Sequence, residues 1–394
     1  MKLFAEHWQY IRFFVVSTSI IIILKTFEAL GISESIIKAL AENKIVTPSE
    51  IQEKAIPFLI QKGTDFIGQA QTGTGKTAAF GLPVLHQIDP TSDKIQVLIL
   101  CPTRELCQQI AKQLFSFTKY SEQKIFVEAV FGGAPIGIQI SRLQRTTHIV
   151  VATPGRLVDL QEKQAIDLSR VKTVVLDEAD EMLTLGFKDD LDKILLSIKN
   201  KKATWLFSAT MNQGIKAIIH NYMSADAFKI EVNKKETVNK DILHQYVICD
   251  PKEKTEMLTH FLKSQGQNRG VIFCRTKAST IALNDLLKSK NYLCDTIHGD
   301  LKQIERDKAM RAFKNTKVQI LIATDIAARG IDVENLAYVV HYELPDQDEY
   351  YTHRSGRTAR AGKKGLSLAI ITPKELQALR AIENKLGIKI VEAK

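Results

Sequence analysis

The stretch "KTVVLDEADEML", Lys172 to Leu183, decides how the chain is read. Its first half is a short apolar run rich in valine, the composition of a strand buried on both faces. Its second half sets four carboxylates, Asp177, Glu178, Asp180 and Glu181, within five positions. On one desolvated surface they would repel each other, so a cationic group must face them. Similar apolar runs ending in Gly, Pro, Ser, Thr or acid surround this one: "DFIGQA", "QVLILCPT", "IFVEAVFGG", "HIVVATPG" and "ATWLFSAT". Helix-period segments lie between them, and "SESIIKALAENK", with Ser33 as its cap, precedes them. Apolar strands alternating with helices predict an α/β fold with mainly parallel sheets flanked by helices. In such sheets ligand chemistry gathers at the carboxyl ends of the strands.

The series repeats downstream as "RGVIFCRT", "LCDTIHGD", "VQILIATD", "LAYVVHYELP" and "GLSLAIIT". Between the two series, "VNKKETVNKD" (Val232 to Asp241) is polar and aperiodic, and reads as a linker. A chain of 394 residues suits two domains of roughly 150–200 residues each. The expected division is an atypical apolar leader over 1–24, a first domain over 25–231, the linker over 232–241 and a second domain over 242–394. The leader contains "FFVVSTSIIIIL", Phe13 to Leu24. That run is shorter than the roughly 20 residues a membrane-spanning helix needs, so it reads as a leader or misplaced start with no stable membrane association, a short anchor or export signal being the alternative.

Hydrophobic residues make up 45% and charged residues 25%, enough for two cores. The net charge of +10 suits a polyanionic partner such as nucleic acid. Cys101, Cys107, Cys249, Cys274 and Cys294 are odd in number and include no C-x-x-C pair. They predict buried reduced thiols in a cytoplasmic protein, with neither a disulfide framework nor a structural zinc site.

"AQTGTGKT", Ala70 to Thr77, follows an apolar strand and opens a helix. It fits the phosphate-binding loop G-x-x-x-x-G-K-[ST] except at its first glycine, where Ala70 stands. Gly73 and Gly75, among Gln71, Thr72 and Thr74, let backbone N–H groups curl round phosphates. Lys76 reaches the β- and γ-phosphates, and the Thr77 hydroxyl faces Mg2+. Asp177, ending its strand, is the matching metal carboxylate, and Glu178 is placed to polarise the attacking water as general base. Either motif alone would read as a glycine-rich turn or an acidic helix start; together they favour a catalytic phosphate site.

Asp177-Glu178-Ala179-Asp180 resembles the motif that names the DEAD-box RNA helicases, a superfamily-two group of two RecA-like domains. The resemblance covers about Phe27 to about Ile390. "VTPSEIQ" is similar to the family's Q motif, which implies that Gln52 bonds the adenine edge and that Phe27 stacks on the base. Lys44-Ile45 stand where the family usually has Gly-aromatic. "PTRELCQQI", "GG" and "TPGR" resemble the first-domain RNA motifs, which implies backbone contacts from Thr103, Arg104, Gly133, Thr153 and Arg156. "SAT", Ser208 to Thr210, resembles the coupling motif, linked with Asp180 and, in the second domain, His353. "FCRTK", "QIER" and "ATDIAARGID" imply RNA contacts from Arg275, Arg306 and Thr324, with Asp332 on the ATP ribose. "HRSGRTARAG" is similar to the arginine-finger motif, implying Arg357 and Arg360 at the γ-phosphate. Ser355 and Ala359 replace the usual Ile and Gly there, with no loss of a charged group.

The resemblance implies an ATP- and Mg2+-dependent RNA helicase whose ATP and RNA bind between the domains and which pries short duplexes apart. An ATP-gated RNA clamp with little unwinding is the alternative, and a DNA translocase is disfavoured by Gln52 and the Asp177–Asp180 motif. RNA contacts through the backbone imply low sequence specificity. A monomer, with ribosome- or RNP-associated factors as possible partners, is expected.

Overall fold

The computed structural model of the protein describes residues 26–71, 73–232, 241–328, 336–359 and 364–393. The chain divides into two compact units, Met1–Val232 and Asn233–Lys394. The leader, and most of the expected linker, lie outside the described residues. Among the described residues no helix is long and apolar enough to cross a membrane.

The first unit is built on seven strands: β1 (Phe66–Gln69), β2 (Val97–Leu100), β3 (Val127–Val130), β4 (Ile149–Ala152), β5 (Thr173–Leu176), β6 (Ala203–Ser208) and β7 (Phe228–Glu231). They pair in parallel in the order β3-β4-β2-β5-β6-β1-β7. The central strands β2, β4, β5 and β6 are buried throughout, which explains their unbroken apolar sequence. Successive side chains serve opposite faces. Val97 and Ile99 join the core that holds Phe66, Phe80 and Trp205. Leu98 and Leu100 join the other, with Met182 and Ile215.

The second unit contains β8 (Ile242–Ile248), β9 (Gly270–Phe273), β10 (Cys294–Ile297), β11 (Ile320–Ala323), β12 (Tyr338–His341), β13 (Gly365–Ile371) and β14 (Val391–Glu392). Their order is β10-β11-β9-β12-β13-β8-β14, again parallel. Strand for strand this repeats the first sheet, so equivalent loops emerge at equivalent carboxyl ends. The expected strands are all present, and β7, β8 and β14 are additions. β7 buries only Ile230, and β8 alternates buried and more exposed positions and carries His244 and Gln245, so neither shows the continuous apolar signal of its neighbours. All five cysteines are buried.

Two buried histidines make the second unit acid-sensitive. His244 on β8 is 4% exposed, and burial pushes its imidazole down to about 4. His341 on β12 is held well below the usual range, chiefly by burial and then by Arg354 and His244. The unfolded chain therefore binds more protons below pH 6.5, and stability present above that pH is lost on acidification towards 4. The His244 shift alone corresponds to about 3 kcal/mol at its limit. Calorimetric melts at pH 7.5 and 5.0 check this. The wild type should lose stability at the lower pH, and His244→Gln should flatten the dependence; equal slopes would count against it.

Candidate active site

The strand order sorts the sequence motifs along one edge of the first sheet. The carboxyl ends of the neighbouring strands β5, β6 and β1 carry Asp177–Asp180, Ser208–Thr210 and Ala70–Thr77. Those of β3, β4 and β2 carry Gly132-Gly133, Thr153–Arg156 and Thr103-Arg104.

In the phosphate-loop region, the helix Lys76–Gln87 starts from Gly75, whose φ of +92° belongs to the left-handed region. Gly73 has φ +83°. Lys76 is buried, and its Nζ donates to Ala70 O at 2.9 Å. Thr74 Oγ1 donates to Gln71 O at 2.7 Å. Thr77 is half-buried in the first helical turn, and Thr72 lies outside the described residues. A second layer fixes this loop from behind. Ser49 Oγ donates to Thr74 O at 2.7 Å and Gln52 Nε2 to Gly75 O at 3.0 Å, while Gln52 Oε1 accepts the Ser49 N–H at 2.9 Å. Gln52 is thus a loop support as well as the expected adenine reader, retaining one N–H and one lone pair for a base.

At Gly75 a side chain would be strained and would push Gln52 from its place. A Cβ there would lie 2.4 Å from Gln52 Nε2 and 3.0 Å from Ser49 Oγ. Left-handed strain adds roughly 1–2 kcal/mol for an L-residue. Gly75→Ala should therefore weaken ATP binding roughly 30-fold, as read by fluorescent-nucleotide titration. A dissociation constant within about twofold of the wild type would sink this account.

The acidic half is held with equal definition. Asp177 is buried, its N–H donates to Leu100 O at 2.9 Å, and its Oδ1 accepts the Glu178 N–H at 3.0 Å. Burial pushes its carboxyl up to about 7, Lys76 opposes that rise, and Glu178 and Asp180 add to it. The cation facing these carboxylates therefore offsets them only in part, which fits a position completed by a divalent metal. Among the described residues no group of three or more His, Cys, Asp and Glu side chains could hold a metal by itself. The donor set of Asp177 and Thr77 suits Mg2+, which keeps waters and takes phosphate oxygens. Glu178 occupies the left-handed region, φ +51° and ψ +50°, at the cap of the helix Ala179–Thr184. Such a conformation costs a non-glycine residue of order 1–3 kcal/mol and is typical of functional sites.

Asp180 and the coupling motif meet directly. Asp180 Oδ2 accepts both the Thr210 N–H and the Thr210 hydroxyl at 2.9 Å. Ser208 Oγ donates to Thr210 O at 2.7 Å, and Ser208 O accepts the Ala70 N–H at 3.0 Å. Phosphate loop, coupling motif and acidic motif are thereby one connected network.

Other expected residues are placed differently. Phe27 is 3% exposed in the core, so stacking on a base is not displayed. The Thr103 hydroxyl accepts the Leu106 N–H at 3.3 Å as a helix cap, leaving its O–H to donate. Thr153 Oγ1 likewise accepts the Gly132 N–H at 3.4 Å. Arg156 is buried, and both its terminal nitrogens donate to Ala134 O at 3.1 Å, with Asp159 beside Nε. It shapes the loop after Gly133 rather than presenting an open charge. Arg104 lies over Gly133, where a Cβ would meet its guanidinium at 2.0 Å; that glycine, at φ +81°, allows the approach.

In the second unit Arg275 stays half-exposed beside Asp346, Arg306 Nη2 donates to Ala327 O at 2.7 Å, and half-buried Thr324 ends β11. The Tyr350 and His353 rings lie 6.4 Å apart. Arg357 is half-buried just past the helix Asp348–Ser355, and its N–H donates to Arg354 O at 3.1 Å. Asp332 and Arg360 lie outside the described residues. Sequence reading missed Arg354 of "HRSGRTARAG", which is 1% exposed. Its clue was position, one helical turn before Arg357.

Residues 49–218 match the DEAD/DEAH box helicase family, and residues 253–362 match the helicase conserved C-terminal domain. The ATP-dependent RNA helicase CshA of Listeria monocytogenes is 41% identical over 357 residues, 91% of this chain and 68% of that protein. The DEAD-box ATP-dependent RNA helicase CshA of Bacillus subtilis is 40% identical over 358 residues, 91% of this chain and 72% of that protein. Among solved structures, S. cerevisiae Dbp5 bound to RNA and ADP BeF3 is similar with a TM-score of 0.85 at 30% identity, covering 94% of this chain and 95% of that one. Mss116p bound to ssRNA and AMP-PNP is similar with a TM-score of 0.81 at 29% identity, covering 94% and 80%. With two RecA-like sheets, a phosphate loop and an Asp-Glu-Ala-Asp strand end in their shared order, the chain belongs to the DEAD-box family of ATP-dependent RNA helicases.

Proposed function

We propose that the chain couples ATP hydrolysis to local separation of short RNA duplexes, gripping RNA by its backbone with little regard for sequence. The observation that carries this reading is the division of one sheet edge into a nucleotide half (β5, β6, β1) and a half rich in backbone N–H, hydroxyl and arginine groups (β3, β4, β2). ATP is the substrate, taken by Gln52, Gln71, Thr72, Gly73, Thr74, Gly75, Lys76 and Thr77, with Phe27 near the base and Asp332 on the ribose. Mg2+, held by Asp177 and Thr77, supplies charge neutralisation at the phosphates. Glu178 orients the attacking water and takes its proton, while Arg357 and Arg360 offset charge developing on the phosphoryl group. Arg104, Gly133, Thr153 and the O–H of Thr103 line the first RNA-facing half, with Arg156 as its support. Arg275, Arg306 and Thr324 do the same in the second unit. Asp180, Ser208, Thr210 and His353 couple the halves. A monomer acting in the cytoplasm on RNA or RNP assemblies fits this chemistry.

Strand displacement on a short RNA duplex, with ATPase rates measured in RNA and in DNA, tests the proposal. ATP-dependent displacement and RNA-selective stimulation are expected. ATP-dependent RNA retention without displacement would identify a clamp, and equal stimulation by DNA would reject RNA selectivity.

A further inference from the structure

A buried polar cluster underlies the turn that carries Arg357. Arg354 Nε and Nη2 donate to the two oxygens of Asp325 at 2.5 and 2.6 Å, a bidentate pair. Its Nη1 donates to Glu343 O at 2.7 Å and lies 3.4 Å from His341 Nδ1, and its guanidinium sits 5.0 Å from the Phe273 ring centroid. Behind it, His341 Nε2 reaches Ser367 Oγ at 3.1 Å and Ser355 Oγ at 3.3 Å, and the two hydroxyls lie 2.9 Å apart. An arginine donating to Nδ1 places the His341 proton on Nε2, facing those hydroxyls.

This one guanidinium is bonded towards every residue of the second unit expected to meet RNA. Asp325 directly follows Thr324 and opens the helix Asp325–Ala328, whose Ala327 O accepts Arg306 Nη2. Glu343, whose carbonyl accepts Arg354, also accepts the Arg275 N–H through its carboxylate at 2.6 Å. On its own helix, Arg354 O accepts the Arg357 N–H. Buried ion pairs are often no more stabilising than apolar packing, so stability alone accounts poorly for this one. Hydrogen-bond and ion-pair networks that join two sites are one route by which energetic coupling is carried.

Resting on the proposed RNA-stimulated hydrolysis, we infer that Arg354 is a positioning residue: its clamp on Asp325 and Glu343 fixes Arg357 according to how RNA sets Arg275, Arg306 and Thr324. In this role it acts through Arg357 rather than on RNA or ATP itself. The Ser355–His341–Ser367 cluster is its backstop, which gives Ser355 a use at the place where the family usually carries an isoleucine.

The test compares full-length wild type, Arg354→Lys, Asp325→Asn and the carboxylate-retaining Asp325→Glu. Unstimulated and RNA-stimulated ATP hydrolysis, KM for RNA and melting temperature are measured on each. Arg354→Lys and Asp325→Asn should lower RNA-stimulated kcat by about tenfold, with unstimulated hydrolysis and KM for RNA held within about twofold and threefold of the wild type. Asp325→Glu should recover part of the stimulation. Equal proportional loss of unstimulated and stimulated rates would overturn the inference, as would full stimulation in both variants. If Arg354→Lys fails to fold, Asp325→Asn decides; unfolding of both would assign the clamp to folding and overturn the inference. A wild type that RNA does not stimulate would reject the proposed function instead, a distinct result.

Discussion

Glu178→Gln should lower RNA-stimulated ATP turnover by about 10²–10⁴-fold while ATP binding persists. Glutamine keeps the size and shape of glutamate, so the left-handed cap at φ +51° is no more strained than before. It cannot accept the proton that the attacking water must lose. The groups proposed to hold the nucleotide, Lys76 and the loop supported by Gln52 and Ser49, are untouched. Steady-state hydrolysis and equilibrium nucleotide binding on the same preparation check both halves. Wild-type turnover would sink the assignment of the general base. Loss of ATP binding would show instead that Glu178 serves the loop.

Arg357→Ala should lower RNA-stimulated kcat by about 10³-fold, with nucleotide and RNA affinities little changed. A guanidinium at the transferring phosphoryl group acts mainly on charge that appears in the transition state, so its loss registers in kcat rather than in binding. The backbone of Arg357 is held by Arg354 O, and alanine keeps that N–H, so the turn should survive. Single-turnover hydrolysis under saturating RNA measures the effect. A drop in ATP affinity with unchanged kcat would place Arg357 in ground-state binding.

The parts of the fold visible in the sequence were those whose physics is local. β2, β4, β5 and β6 are buried on both faces, and their valines, isoleucines and leucines say so without reference to neighbours. β7 was silent because an edge strand with one buried residue has no pattern to show. The phosphate loop and the acidic motif were legible because glycine, lysine and carboxylate spacing follows from phosphate chemistry. What the sequence could not show was which polar groups turn inward. Thr103 and Thr153 accept backbone N–H groups, Arg156 holds a carbonyl, and Phe27 joins the core. The Thr103 cap is local, to Leu106, but the other choices depend on segments brought close by the fold and not on adjacent residues. Arg354 was hidden for the same reason: its partner Asp325 is 29 positions away, opening the helix after β11, a strand two places from β12 in the sheet.

The bond from Gln52 to the Gly75 carbonyl has a consequence for substrate choice. The amide proposed to read the base also props the turn that presents Lys76, so under that proposal base and phosphate would not be judged separately. A nucleotide with the wrong base would disturb the phosphate grip even after it had bound. Discrimination against GTP should then show in the speed of the chemical step as much as in occupancy, a proofreading of shape carried by one side chain.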